Sequence, residues 1–165
     1  MSNCFTQACA AALLAFALLT SSTTPGAAEG VKPAVSASGV ITKKSAYGLQ
    51  ETVDRLKKDI AAKGITFFQE IDQSALAAKA GIELRPSILL IFGNPPLGTQ
   101  FMTANPQAGL DWPVRLLVYR DASDAVWTAY TDFQWIARRH RIRDRGPQFD
   151  MASMVIASIT SSVAQ

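Results

Sequence analysis

The sequence predicts an α+β fold, a mainly antiparallel sheet of about five strands with helices packed mostly on one face. Three observations predict it. A stretch with helical period, Gly48 to Lys63, sits among β-branched and aromatic runs. A short, unbroken apolar run, Ser87 to Phe92 (SILLIF), is bounded by Pro86 and Gly93. Two further runs, Val114 to Tyr119 and Ala125 to Thr131, flank Asp121-Ala122-Ser123-Asp124, whose composition is that of a hairpin turn. Such a sheet can leave its second face for water, a ligand or another copy of itself.

The chain has 165 residues, 48% hydrophobic and 18% charged, which suits one folded domain. Residues 1–28 carry no charged side chain, and Ala8 to Leu19 is an apolar run. That run is shorter than the roughly 20 residues a membrane span needs. It fits a signal-peptide core, with Gly26 and Ala28 suiting cleavage before Glu29. The expected organisation is a signal peptide at 1–28, a linker at 29–39, a domain at 40–145 and a C-terminal helix at 146–165 packing on it. Export to the periplasm or the exterior follows, with no stable membrane span in the mature chain. Both cysteines, Cys4 and Cys9, fall in the signal, so the mature domain would have neither disulfide nor thiolate chemistry. The net charge of +3 is mild.

Val40 to Tyr47 mixes β-branched and polar residues and reads as the first strand. The helix from Gly48 to Lys63 aligns Leu49, Val53, Leu56 and Ile60 on one face. Glu51–Arg55 and Asp54–Lys58 are opposite charges one turn apart, and Gly64 supplies a left-handed stop. Ile65 to Ile71 is the second strand. A short helix from Ser74 to Ala80 follows, capped by Asp72 or Ser74 and ended by Gly81. Ser87 to Phe92 reads as a central strand buried on both faces.

Phe92 to Pro113 then reads as a long loop: Asn94-Pro95-Pro96 forces an extended turn, and Gly98 admits a short helix capped by Thr99, with Met102 on its buried side. In the tail, Phe133, Ile136 and Ala137 form one helical piece. Met151, Met154, Val155 and Ile159 form another, beyond Gly146-Pro147.

These pieces resemble the domain-of-unknown-function 302 family over about Tyr47 to His140. The residues that carry the resemblance are Gly64-Ile65-Thr66-Phe67, Ile71-Asp72, Ala77 through Gly81 and Arg85-Pro86, then Ile91-Phe92-Gly93-Asn94-Pro95, Gly98-Thr99, Met102 and Pro106, and last Leu110-Asp111-Trp112-Pro113 and Val118-Tyr119. The resemblance implies a small α+β domain with an arrangement like that of the TATA-binding protein, and no known activity. Where the family pattern leads one to expect a histidine after Ile71-Asp72, this chain has Gln73.

The side-chain inventory argues against several chemistries. His140 is the only histidine, and within Arg138-Arg139-His140-Arg141 it reads as a solvated helix end, so a transition-metal site would rest on carboxylates. No G-x-S-x-G, no triad spacing and no phosphate-loop motif is present, so neither a cofactor nor nucleic acid is expected. Glu70 and Asp72 point the same way on a strand and could do acid–base work, yet such pairs are mostly solvated. The arginine-rich stretch Arg138 to Arg145 reads as a solvated turn ahead of a surface facing anionic lipid or cell-wall polymer.

A loop this long is often functional. Arg85, Asn94, Thr99 and Asp111 are the candidate ligand-binding residues, with an Arg85–Asp111 ion pair, although the same groups could merely pin the loop. The leading reading is a non-enzymatic binding module for a small molecule or a protein. A self-associating homodimer is the alternative, and a hydrolase-like enzyme using Asp111 or Glu70 comes last.

Overall fold

The computed structural model describes residues 37–165. The expected signal peptide, its cysteines and most of the linker lie outside the described residues. The elements run β1 (Val40–Lys44), α1 (Leu49–Ala62), β2 (Thr66–Asp72), α2 (Gln73–Lys79), β3 (Ser87–Gly93) and α3 (Pro95–Ala104). A 3-10 helix (Pro106–Leu110), β4 (Val114–Arg120), β5 (Val126–Thr131), α4 (Phe133–Arg139) and α5 (Gly146–Ser161) complete the chain. The five strands form one antiparallel sheet in the order β1-β5-β4-β3-β2, as the sequence predicts.

Strand period decides the two faces. Leu90 pairs with Leu116, Leu116 with Tyr130, and Tyr130 with Ile41. These side chains share one face with Ile88, Phe92 and Val118, and all are buried. Helices α1, α3, α4 and α5 pack over that face and join its core through Val53, Leu56, Ile60, Phe101, Phe133, Ile136, Phe149 and Ile156. Full burial of a Leu or Ile is worth about 1.5–3 kcal/mol, so the helix faces hold the molecule together.

Three expectations shift. First, β4 and not β3 is the middle strand. β3 is buried at Ile88, Leu90 and Phe92 on the helix side, while on its other face Leu89 and Ile91 are half-buried between buried Ser87 and Gly93. Second, the first strand stops at Lys44, because Ser45 turns inward to a buried hydroxyl pair with Thr52 at 2.7 Å. Third, Met151 and Met154 are exposed; α5 buries Phe149, Ala152, Ile156, Ile159 and Thr160 instead. Those positions recur at spacings of three and four and form the true apolar stripe.

The remaining helix reading holds well. α1 buries Val53, Leu56 and Ile60, and Glu51–Arg55 closes at 2.8 Å, although Asp54 receives Gln50 rather than Lys58. Gly64, at φ +66°, ends it while Ile65 N–H donates back to Ile60 O. Asp72 caps α2, accepting from Ala75 N–H at 2.8 Å.

Candidate functional site

The Phe92 to Pro113 segment is mostly helical, and the reason lies in its prolines. Pro95 and Pro96 occupy the first turn of α3, where a missing N–H costs nothing, and Asn94 is the cap, its Oδ1 accepting from Leu97 N–H at 3.2 Å. The expected extended turn is therefore a helix start, and Thr99 is no cap. Its hydroxyl donates to Pro95 O at 2.7 Å, one turn back in the same helix. Phe101, not Met102, takes the buried position, stacked on Phe149 at 4.2 Å. Asn105 caps the 3-10 helix that follows.

Trp112 closes the segment. Its indole lies close against the backbone at Gly98 of α3 and Gly93 of β3: a β-carbon at Gly98 would overlap Nε1, and one at Gly93 would come within 3.2 Å of the ring. Only glycine admits this approach. Phe68, on the bulge of β2, meets the indole edge-on at 6.0 Å. Beneath lies a narrow apolar cleft of about 40 Å³, walled by Phe92, Leu97, Phe101, Trp112, Val155 and Ile156, with Asn94 as its amide.

On the other side of Trp112, Asp111 enters the interior. Its side chain is 6% exposed, and Oδ2 sits 2.6 Å from Nε2 of His140, itself 4% exposed. Arg139 reaches Oδ1 at 3.2 Å and Arg115 lies 3.6 Å away. Asn105 Nδ2 donates to His140 O at 2.9 Å. His140 is thus a buried tie between the loop and α4, not a solvated helix end.

The four candidate residues stand apart. Arg85 is exposed, and the Arg85–Asp111 ion pair does not form, because Asp111 is already taken by His140, Arg139 and Arg115. Asn94 caps a helix and lines the cleft, and Thr99 is exposed on the outer side of α3. No hydrogen bond or ion pair joins any two of the four among the described residues. The residues that sequence reasoning missed are His140, Trp112 and Gly98. Gly98 and Trp112 were legible only as residues that carry the family resemblance.

The carboxylate pair on β2 is also occupied: Glu70 binds Lys57 at 2.8 Å, and Asp72 caps α2. The hydroxyl of Ser74, then the N–H of Ala75, hold Asp72 below the usual carboxylate range. Gln73, in the place where a histidine is expected, accepts from Ser87 Oγ at 2.8 Å. Among the described residues no three His, Cys, Asp or Glu side chains come together as a metal site.

The sheet's second face is the remaining feature. The strand register places Ile71, Leu89, Ile91, Leu117, Tyr119, Trp127 and Ala129 there, all half-buried. Helix α2 leans on this side through Gln73 and Ser87, yet it buries none of its own residues. Leu76, Ile82 and Leu84 beside it are 54%, 62% and 47% exposed.

Comparison with known proteins agrees with the geometry. The family model described as "Domain of unknown function DUF302" matches residues 41–161. A solved structure, the uncharacterized conserved protein DUF302 from Bacillus stearothermophilus, shares the fold with a TM-score of 0.69 at 15% identity, covering 76% of this chain and 98% of that one. Among curated proteins, the fluoride-specific ion channel FluC 1 of Brucella suis biovar 1 (strain 1330) is 35% identical over 128 residues, 78% of this chain and 49% of that protein. Fluoride-specific ion channel FluC 1 of Brucella abortus biovar 1 (strain 9-941) is equally similar, with 46% of its length matched. The chain spans about half the length of the curated relatives it matches. Among the described residues no helix is long and apolar enough to cross a membrane.

Proposed function

The chain belongs to the DUF302 family, and from that premise we propose that it is a non-enzymatic interaction domain whose half-exposed apolar sheet face docks a second copy of the same chain. One observation carries this reading: the apolar, half-exposed face of β2, β3, β4 and β5, continued by Leu76, Ile82 and Leu84. Four strands of this length present about 400 Å², and monomers rarely expose apolar patches beyond a few hundred Å². With α2 and the segment after it, the surface approaches the roughly 800 Å² per partner of a stable interface. The middle of the face carries no charge, with Lys44 and Arg115 at its margins, so nothing on it selects a differently charged partner. A flat apolar sheet is complementary to itself about a two-fold axis.

Sedimentation equilibrium on the full-length protein tests the reading. A dimer at tens of micromolar is expected, and Leu117→Lys or Leu89→Lys should leave a folded monomer, checked by circular dichroism. A wild type that stays monomeric, or variants that stay dimeric, would refute it. The channel activity in the relatives' names belongs to proteins about twice as long. We assign it to the half this chain does not match, and the shared half to an accessory domain outside the membrane.

A second reading rests on the cleft beneath Trp112, which is apolar, has one amide and, at about 40 Å³, has room only for the tip of a small apolar ligand. Native mass spectrometry of the full-length protein would show an extra mass, lost in Leu97→Trp, which fills the cleft. A bare protein would remove this reading and leave the first untouched.

A further inference from the structure

The last turn of α4 and the segment after it, residues 137–143, enclose a groove of about 330 Å³ on the helix side, well away from the open sheet face. Its charged lining is three arginines, Arg138, Arg141 and Arg143, with no acidic side chain among its lining residues. Four arginines elsewhere in the described residues are closely paired: Arg55 with Glu51, Arg120 with Asp124, Arg145 with Asp144, and Arg139 with Asp111. The groove's arginines are not. Arg138 comes no closer than 3.8 Å to Asp132, and the side chains of Arg141 and Arg143 make no ion pair or hydrogen bond among the described residues. The nearby carboxylates are already engaged: Asp132 caps α4, Asp144 holds Arg145 at 2.6 Å, and Asp150 accepts from Gln134 at 2.8 Å.

The backbone adds to this. α4 ends in the same motif as α1, with Ile142 N–H donating to Ala137 O, but the left-handed position holds Arg141 at φ +55° where α1 has Gly64. An arginine there is strained relative to glycine, and its side chain lines the groove. A helix end that needed only a stop would be better served by glycine.

We propose that this groove binds a phosphate group, taken either from a soluble organic phosphate or from a phospholipid headgroup. The guanidinium fork matches phosphate oxygens two at a time, and a phosphate monoester carries about −1.5 to −2 charge at neutral pH. Two unpaired arginines offset that charge, and the third closes the side of the groove.

Calorimetric titration of the full-length protein with pyrophosphate is the direct test, in chloride buffer and at two ionic strengths. Binding is expected, and Arg143→Gln and Arg141→Gly should each weaken it by about tenfold or more. Arg141→Gly should also raise the melting temperature, because it relieves the left-handed residue. Loss of binding in a more stable protein cannot be put down to misfolding. Co-sedimentation with phosphatidylglycerol–phosphatidylcholine vesicles separates the sources: binding to both probes assigns a headgroup, and binding to pyrophosphate alone assigns a soluble phosphate. No binding to either probe, or equal binding by wild type and both variants, would overturn the proposal.

Discussion

A methyl group at position 98 would overlap the indole of Trp112, and this one collision shows how a single residue sets the loop. Glycine inside a helix costs about 1 kcal/mol relative to alanine, so Gly98→Ala should stabilise α3 on propensity alone. The β-carbon, however, would overlap Nε1 and Cε2 of a rigid ring held from behind by Phe68. Overpacking of this kind costs about 1–3 kcal/mol. Gly98→Ala should therefore lower stability by up to about 2 kcal/mol in urea unfolding. Gly146→Ala, in the first turn of α5 with nothing within 4 Å, should be neutral or stabilising. Equal stability of the two variants would mean that Trp112 moves aside freely. Gly98 and Trp112 are 14 positions apart, and no local pattern announces that one lies on the other.

At the scale of elements, the β4–β5 turn is the clearest device. Asp121 accepts first from the Ser123 hydroxyl at 2.7 Å and then from the Trp127 indole at 2.7 Å, with the N–H groups of Ala125 and Ser123 completing the set. These donors, the Ser123 hydroxyl foremost, hold its pKa down at about 2 against the ordinary carboxylate value of 3.8. A depressed folded pKa means that the contribution is present above pH 3.8 and is lost as pH falls through about 2. Melting temperature followed from neutral pH to pH 2 should fall more steeply below pH 4 in the wild type than in Asp121→Asn. Parallel curves would show the turn to be indifferent to that charge.

The turn itself was legible, because Asp-Ala-Ser-Asp brings its own donors and acceptor. α1 was legible because four apolar residues share one face. The start of α3 was misread because two prolines look like a break, although an asparagine before them is also a helix cap. The apolar stripe of α5 was not legible because Met151 and Met154, exposed, share the helix with the equally apolar Phe149, Ala152 and Ile156, and only packing tells the two sets apart. His140 was misread because its burial depends on Asp111, 29 positions away.

The whole molecule divides its work between two sides. The helix side holds the core, the apolar cleft and the arginine groove, while the other side of the sheet is apolar and, among the described residues, covered in part by α2. If that side is an interface, the melting temperature must rise with protein concentration, since association stabilises the folded state by mass action; Leu117→Lys should abolish that dependence as it abolishes the dimer. The buried tie between Asp111 and His140 has a different use. His140 is the only histidine in the chain, so its ring would contribute the sole imidazole signals in a proton spectrum of the protein. Those lines come from the point where the loop is fastened to α4. They make a built-in reporter, free of any label, of whether the cleft, the groove or the sheet face is felt at the fastening point when a ligand or a second copy arrives.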